Sequence, residues 1–317
     1  HIPPWLGAPM DKILEDAQIW YNENDSRPQL NVYEYAIRNW GHRHLPSYQR
    51  NIAISFYEEV QPHNDIILSY AISNFDTLPD SQLNIVKSWY SNKYANPGST
   101  VRQYAIDNWD ILSSYYLNIV KSWFVDNSNN PGNTIRDYAI SQIDALTNTM
   151  KMNLAKCWYN DNSTNPSDTL RQFAMNNWSS LTSYRLNIVT SWYRYESSNP
   201  GSTVRQYAID NWNVLSSYHL NIVKSWFVEN SSNPGNTIRE YAIDNYYSLT
   251  TTMKNNAIIC WFNSYDHLKS NSNNSQKYDM ISKAFQLINS ISNKHHIIIA
   301  WFGYHSSGIR YNSQSTP

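Results

Sequence analysis

The feature that most restricts what this chain can fold into is a unit of thirty-four residues, Asn96 to Asn129, repeated almost verbatim from Asn199 to Ser232. The two copies, NPGSTVRQYAIDNWDILSSYYLNIVKSWFVDNSN and NPGSTVRQYAIDNWNVLSSYHLNIVKSWFVENSS, differ at only a handful of positions. Fainter copies extend in both directions. An aromatic residue recurs at 35, 70, 104, 138, 173, 207 and 241, in steps of 34 or 35, and a tryptophan at 89, 123, 158, 192, 226 and 261 keeps the same stride. Recurrence at this period marks stacked supersecondary units. A longer period is superimposed. Asn96 maps to Asn199 and Cys157 to Cys260, each 103 residues apart, as if a block of three units had been duplicated together.

Within the unit, Asn96-Pro97-Gly98 reads as a bend, since proline fixes φ and glycine tolerates positive φ. Thr100 with Gln103 reads as a capping box, and the same grammar returns at Thr134 with Asp137, Thr169 with Gln172, Thr203 with Gln206 and Thr237 with Glu240. Val101, Tyr104, Ala105, Trp109 and Leu112 fall at helical spacing and lay an apolar stripe along a first helix. Ser113 and Ser114 interrupt it and are placed to cap a second helix. That second helix, with Tyr116, Leu117, Ile119, Val120, Trp123 and Phe124, is apolar over most of its girth and calls for neighbours on both sides. Helices shorter than ~12–15 residues are marginal alone in water, so each hairpin depends on the next.

The expected fold is therefore all-α: a right-handed α-solenoid of about seven to eight αα-hairpins of 34–35 residues. Residues 1–25 are expected to form an N-terminal capping helix, 26–302 one continuous array, and 303–317 a C-terminal tail. The unit resembles the tetratricopeptide repeat in length and hairpin form. That resemblance implies solenoid geometry and no binding residues. Where the tetratricopeptide repeat places a small Gly in its first helix and an Ala early in its second, Tyr104-Ala105 and Leu117-Asn118 stand here.

Composition narrows the function classes. The formal net charge is −1 and no polybasic run exists, which argues against nucleic acid as a partner. No apolar stretch approaches the ~18–20 residues of a membrane span. Sequons at Asn24, Asn162, Asn177, Asn230 and Asn273 suit a secreted protein, while a chain that begins at His1 fits a removed signal peptide and a start at that residue equally. The two cysteines, Cys157 and Cys260, sit at equivalent positions three hairpins apart and are expected as small buried thiols, not a disulfide.

Two polar ladders stand out. One comprises Asn39, Asn74, Asn108, Gln142, Asn177, Asn211 and Asn245, four residues after the aromatic of each first helix; the other comprises Asn51, Asn84, Asn118, Asn153, Asn187, Asn221 and Asn256 in each second helix. Asparagine inside a helix costs roughly half a kcal/mol relative to alanine, so every rung needs a compensating interaction. Either the amides hydrogen-bond within and between hairpins and set their register, or a ladder flanked by aromatic rings lines a groove. On the second reading the binding surface is Asn108, Trp109, Asn118, Asn177, Trp178, Asn211, Trp212 and Asn221. A third ladder, Arg102, Arg136, Arg171, Arg205 and Arg239, is expected to pair with Asp107, Asp210 and Asp244 or with a neighbouring hairpin, and offers contacts for anionic groups.

Chemistry is harder to find. His42 with His44, and His295 with His296, lack metal-ligand spacing, and no nucleophile triad, phosphate loop or nucleotide fingerprint is written in the chain. No metal and no cofactor is expected. The expected function is a non-enzymatic scaffold that presents an aromatic, Asn-rich surface to a protein or a glycan. A self-assembling subunit of an extracellular fibre or coat is the second reading, and an α/α-ring enzyme the third.

Overall fold

The computed structural model describes residues 8–60, 63–264, 274–292 and 294–302. The expected tail, the His1 terminus, the Asn273 sequon and part of the polar loop before it lie outside the described residues. Every regular element among the described residues is helical, and helices pack with their neighbours in chain order. The chain divides into two compact units, His1–Trp158 and Tyr159–Pro317. The first holds a lone helix, Ala8–Glu23, and then the pairs Leu30–Arg38 with Gln49–Phe56, Asp65–Ser73 with Gln82–Asn92, and Ser99–Asp107 with Tyr116–Phe124. Its last pair is Asn133–Ser141 with Asn148–Asp161, whose final turn passes into the second unit. The second unit pairs Asp168–Asn176 with Arg185–Tyr195, Ser202–Asp210 with His219–Phe227, and Asn236–Asp244 with Thr251–Asn263. Asn274–Gln286 and a helix over 294–302 follow.

The helix starts depart from the expected capping box. In Asn96-Pro97-Gly98 the Asn96 Oδ1 accepts from the Gly98 amide at 2.8 Å, and Gly98 takes φ +107°, a conformation that strains any residue with a Cβ. Gly132, Gly201 and Gly235 repeat this at φ between +100° and +108°. Glycine is thereby the N-cap, with no side-chain cap bond, and Thr100 falls inside the first turn of Ser99–Asp107. Gln103 consequently turns away and donates to Asp107 Oδ1 at 2.8 Å. At Asn165-Pro166-Ser167, where serine replaces the glycine, a side chain caps the helix instead: Ser167 Oγ accepts from the Leu170 amide at 3.2 Å, as Asn64 Oδ1 accepts from Ile66 and Ile67 at the start of Asp65–Ser73.

The first helices end on the first asparagine ladder. Asn108 is the C-cap, and its Nδ2 donates to the carbonyl of Tyr104 four residues back at 2.9 Å. Asn39, Asn74, Asn177, Asn211 and Asn245 make the same bond to Tyr35, Tyr70, Phe173, Tyr207 and Tyr241. The serines after them do not cap the second helix. The connection is two 3₁₀ turns, Trp109–Ile111 and Ser113–Tyr115, leading directly into Tyr116–Phe124.

The second ladder joins one hairpin to the next. Asn118 Nδ2 donates to the carbonyl of Tyr90 at 2.7 Å, in the last turn of the preceding hairpin's second helix. Within the first unit Asn51, Asn84 and Asn153 reach the carbonyls of Tyr21, Tyr57 and Phe124; within the second, Asn187, Asn221 and Asn256 reach Tyr159, Tyr193 and Phe227. The last carbonyls of a helix have no intrahelical donor. Each amide satisfies one, which offsets the cost of asparagine in a helix. Beside it the apolar pairs Ile52-Ala53, Ile85-Val86, Ile119-Val120, Ile188-Val189 and Ile222-Val223 are buried, as are Ala36, Ala71, Ala105, Ala139, Ala174, Ala208 and Ala242 of the first helices.

A further inter-hairpin contact was not foreseen from sequence. Tyr21 and Tyr90 share hydrogen bonds with Ser55 and Ser122 at 2.9 Å, and Tyr193 with Ser225 at 3.0 Å; Tyr159 donates to Ser191 at 3.5 Å. Where the tyrosine position holds Phe124, Phe227 or Phe262, the serine position of the next hairpin holds Cys157, Cys260 or Ala300. The hydroxyls come and go in pairs. Both cysteines are buried thiols outside any disulfide, as expected, and burial raises the Cys260 thiol to about 12.

Two outcomes follow from these ladders. Asn118→Ala leaves a buried-end carbonyl without its donor and should cost about 1–3 kcal/mol. Asn108→Ala, whose carbonyl partner still receives the backbone amide of residue 108, should cost less; denaturant titration of the two variants checks the order. Burial, against the opposing pull of their serines, raises the hydroxyls of Tyr21, Tyr90, Tyr159 and Tyr193 to about 12. A tyrosine raised in the folded state contributes its full stability below the unfolded value of ~10 and loses it as pH climbs towards the folded value. Unfolding midpoints should therefore hold steady up to pH ~10 and fall between there and 12, with phenolate absorbance of these residues appearing only as the chain unfolds.

Candidate ligand grooves

The side chains singled out in the sequence are largely spent on the hairpins themselves. Arg102 is 8 % exposed, its guanidinium over the Trp123 ring at 5.3 Å, donating to the Ser122 carbonyl at 3.2 Å and to Asp126 at 2.6 Å. Arg171 lies over Trp192 at 5.1 Å and pairs with Asp168 at 3.2 Å and with Glu196. Arg136, Arg205 and Arg239 lie over Trp158, Trp226 and Trp261 at 4.5, 5.2 and 4.9 Å. The expected partners Asp107 and Asp210 are taken by Gln103 and Gln206 instead. The arginines reach the end of the second helix of their own hairpin because stacking on its tryptophan directs them there, and burial removes them from the candidate anion contacts. Burial opposes ionisation of Asp126, but Arg102 and Asn96 outweigh it and hold the carboxyl below its ordinary value.

Trp109, Trp178 and Trp212 are 7–9 % exposed and do not form the open aromatic surface expected of them. Each closes the junction between two first helices. Trp109 stacks on Tyr116 at 3.7 Å and meets Tyr138 edge-on at 5.6 Å; Trp212 does the same with His219 at 3.5 Å and Tyr241 at 5.5 Å. Trp178 meets Tyr207 edge-on at 5.3 Å and lies under Arg185 at 5.0 Å. Such rings gain both buried area and favourable quadrupole contacts. The structure thus places Asn108, Asn177 and Asn211 at helix ends and Asn118 and Asn221 at hairpin junctions, and Trp178, Asn211 and Trp212 also line the grooves described next.

Two grooves match each other residue for residue. In the first unit Phe75, Gln82, Ser99, Thr100, Gln103, Tyr104 and Asp107 line an open volume of about 480 Å³. In the second unit Trp178, Arg185, Ser202, Thr203, Gln206, Tyr207 and Asp210 line one of about 540 Å³. Every position in the second set lies 103 residues after its counterpart in the first. The floor is the aromatic junction just described, in the first unit Phe75 edge-on to Tyr104 at 5.4 Å. One wall is the exposed face of the next first helix, with two hydroxyls in its opening turn and an amide held to a carboxylate, Gln206 Nε2 to Asp210 Oδ1 at 2.9 Å. The other wall is residue 82 or 185, seven positions beyond the aromatic. A third groove, of about 470 Å³, has Asn211, Trp212 and Val214 facing Pro234 to Ile238.

Sequence reasoning missed these residues because a groove is made between hairpins, not within one. Thr100 and Gln103 match a capping box and so read as parts of a helix start. The signal that could have found them is the 103-residue offset, which holds the wall and the tyrosine fixed while residue 82 and residue 185 differ.

Among the described residues no three His, Cys, Asp or Glu side chains converge to hold a metal, and no helix is long and apolar enough to cross a membrane. No protein-family model, curated protein or solved structure matches this chain.

Proposed function

We propose that the chain is a non-enzymatic, secreted helical-repeat scaffold, its hairpins wound as a right-handed α-solenoid, which binds a glycan through two matching grooves, one in each unit. The observation that carries this reading is the recurrence of all seven lining positions at a fixed offset, with six of the fourteen side chains bearing hydroxyls and four forming amide–carboxylate pairs. Planar amides and carboxylates engage neighbouring sugar hydroxyls two at a time, and a half-buried tyrosine offers a ring face to the C–H side of a pyranose. The volumes fall within the ~300–1,000 Å³ of ligand sites, and paired sites on one chain raise avidity for a repeating polymer. The grooves lack the deep apolar slot that anchors a protein hot spot. Secretion fits the loop positions of the Asn24, Asn162 and Asn230 sequons.

Binding of oligosaccharides to the intact chain, followed by calorimetry, tests this. Gln206→Ala combined with Gln103→Ala should weaken it roughly tenfold or more, the loss of a charge-coupled hydrogen bond in each groove. A chain that binds no oligosaccharide, and binds a polypeptide instead, ends the glycan reading.

One observation favours the second reading, a self-assembling subunit of a fibre or coat. Phe285, Ile298, Ile299 and Phe302 are exposed together on the last two described helices of the second unit, with Phe302 at 66 %. If that patch joins copies, light scattering should show mass rising with concentration and Phe302→Ser abolishing the rise; a constant monomer mass would leave the scaffold reading alone.

A further inference from the structure

The two grooves differ in one respect that changes their chemistry. At position 82 the glutamine spends its amide on the fold, donating to the carbonyl of Phe75 at 3.1 Å. Gln49 does the same to Trp40 at 3.4 Å, and the His219 ring nitrogen to Trp212 at 2.8 Å. This wall position is a structural donor at Gln49, Gln82 and His219, while Tyr116 at the same place stacks on Trp109. Arg185 does something else. Its guanidinium lies over the Trp178 ring, and among the described residues it pairs with no carboxylate and its buried Nε has no acceptor. A half-buried cation with unspent donors now lines a groove whose twin has none.

We propose that the 178–210 groove is a subsite for a carboxylate-bearing sugar, a uronic acid residue of a glycan, and that the 75–107 groove takes a neutral sugar; this rests on the glycan reading above. The planar fork of N–H donors matches a carboxylate in two parallel bonds, and stacking on Trp178 holds the fork in place before the ligand arrives. Asp210, on the opposite wall and held by Gln206, repels a bare anion but accepts from hydroxyls, as the hydroxyls of Ser202 and Thr203 also can. The groove therefore asks for one ligand carrying both a carboxylate and hydroxyl donors. In the twin groove Asp107 faces no cation, so an acidic sugar meets only repulsion there.

The test is calorimetric titration of the full chain with an oligogalacturonate and with its fully methyl-esterified form. The acid form should fill one site per chain, and Arg185→Gln should weaken it roughly tenfold or more. The ester should bind Arg185→Gln as it binds the native chain, and Gln82→Arg should add a second site for the acid form. If Arg185→Gln leaves acid binding unchanged while the ester still binds, the charge assignment is overturned and the glycan reading stands. If neither oligosaccharide binds the native chain, both fall together. Equal denaturation midpoints for native and Arg185→Gln chains exclude loss of folding as the cause of any weakening.

Discussion

The reach of the Asn118 amide to the carbonyl of Tyr90 is the contact on which the stacking depends. First helices of nine residues, like Ser99–Asp107, cannot persist alone, and the last turn of every helix presents carbonyls with no partner of their own. Apolar burial could hold two hairpins together in several registers. A donor that must meet one particular carbonyl admits one, because a slip by a turn would leave both groups unsatisfied at a cost comparable to the whole gain from a typical hydrogen bond. Seven asparagines, from Asn51 to Asn256, make that same choice within their units.

Within a hairpin the complementary constraint is the arginine laid on tryptophan. A cation as buried as Arg171, at 3 % exposure, is costly unless the Trp192 ring and the carboxylates of Asp168 and Glu196 replace water around it. The tryptophan is fixed in turn. Trp123 Nε1 donates to the carbonyl of Asn129 at 2.9 Å, and Trp226 to that of Ser232 at the same distance, so the ring closes the loop that leads to the next Asn-Pro-Gly bend. One residue type thus ties together the second helix, the first helix and the exit loop.

The period, the helical hairpins and the burial of Cys157 and Cys260 were legible from residue spacing, because spacing of apolar side chains is a local property that tertiary packing preserves. Helix starts were not. Thr100 and Gln103 satisfy the capping pattern, yet Gly98 at positive φ already sets the start upstream, a backbone fact that one-dimensional pattern matching passes over. Likewise the regular array of Arg102 and its equivalents, beside Asp107 and Asp210 in sequence, suggested ion pairs along one helix; the partners came from 20 to 25 residues away. The grooves were least legible. Their walls come from consecutive hairpins, and what makes the second one distinctive is a bond that Gln82 makes and Arg185 does not.

The pairing of tyrosine with serine, and of phenylalanine with cysteine or alanine, makes each hairpin end a keyed coupling. A hairpin ending in Tyr90 admits a successor bearing a hydroxyl at the Ser122 position, and one ending in Phe124 admits a successor bearing Cys157. Copying a single hairpin to an arbitrary place would set a phenol against a thiol, or strand a hydroxyl in an apolar junction. Copying three in a row, starting and stopping at like-keyed ends, preserves every coupling. A hairpin keyed alike at both ends, such as the one carrying Ser88 and Tyr90, can be copied alone, whereas one keyed differently, such as the one carrying Ser122 and Phe124, is copied only together with its neighbours.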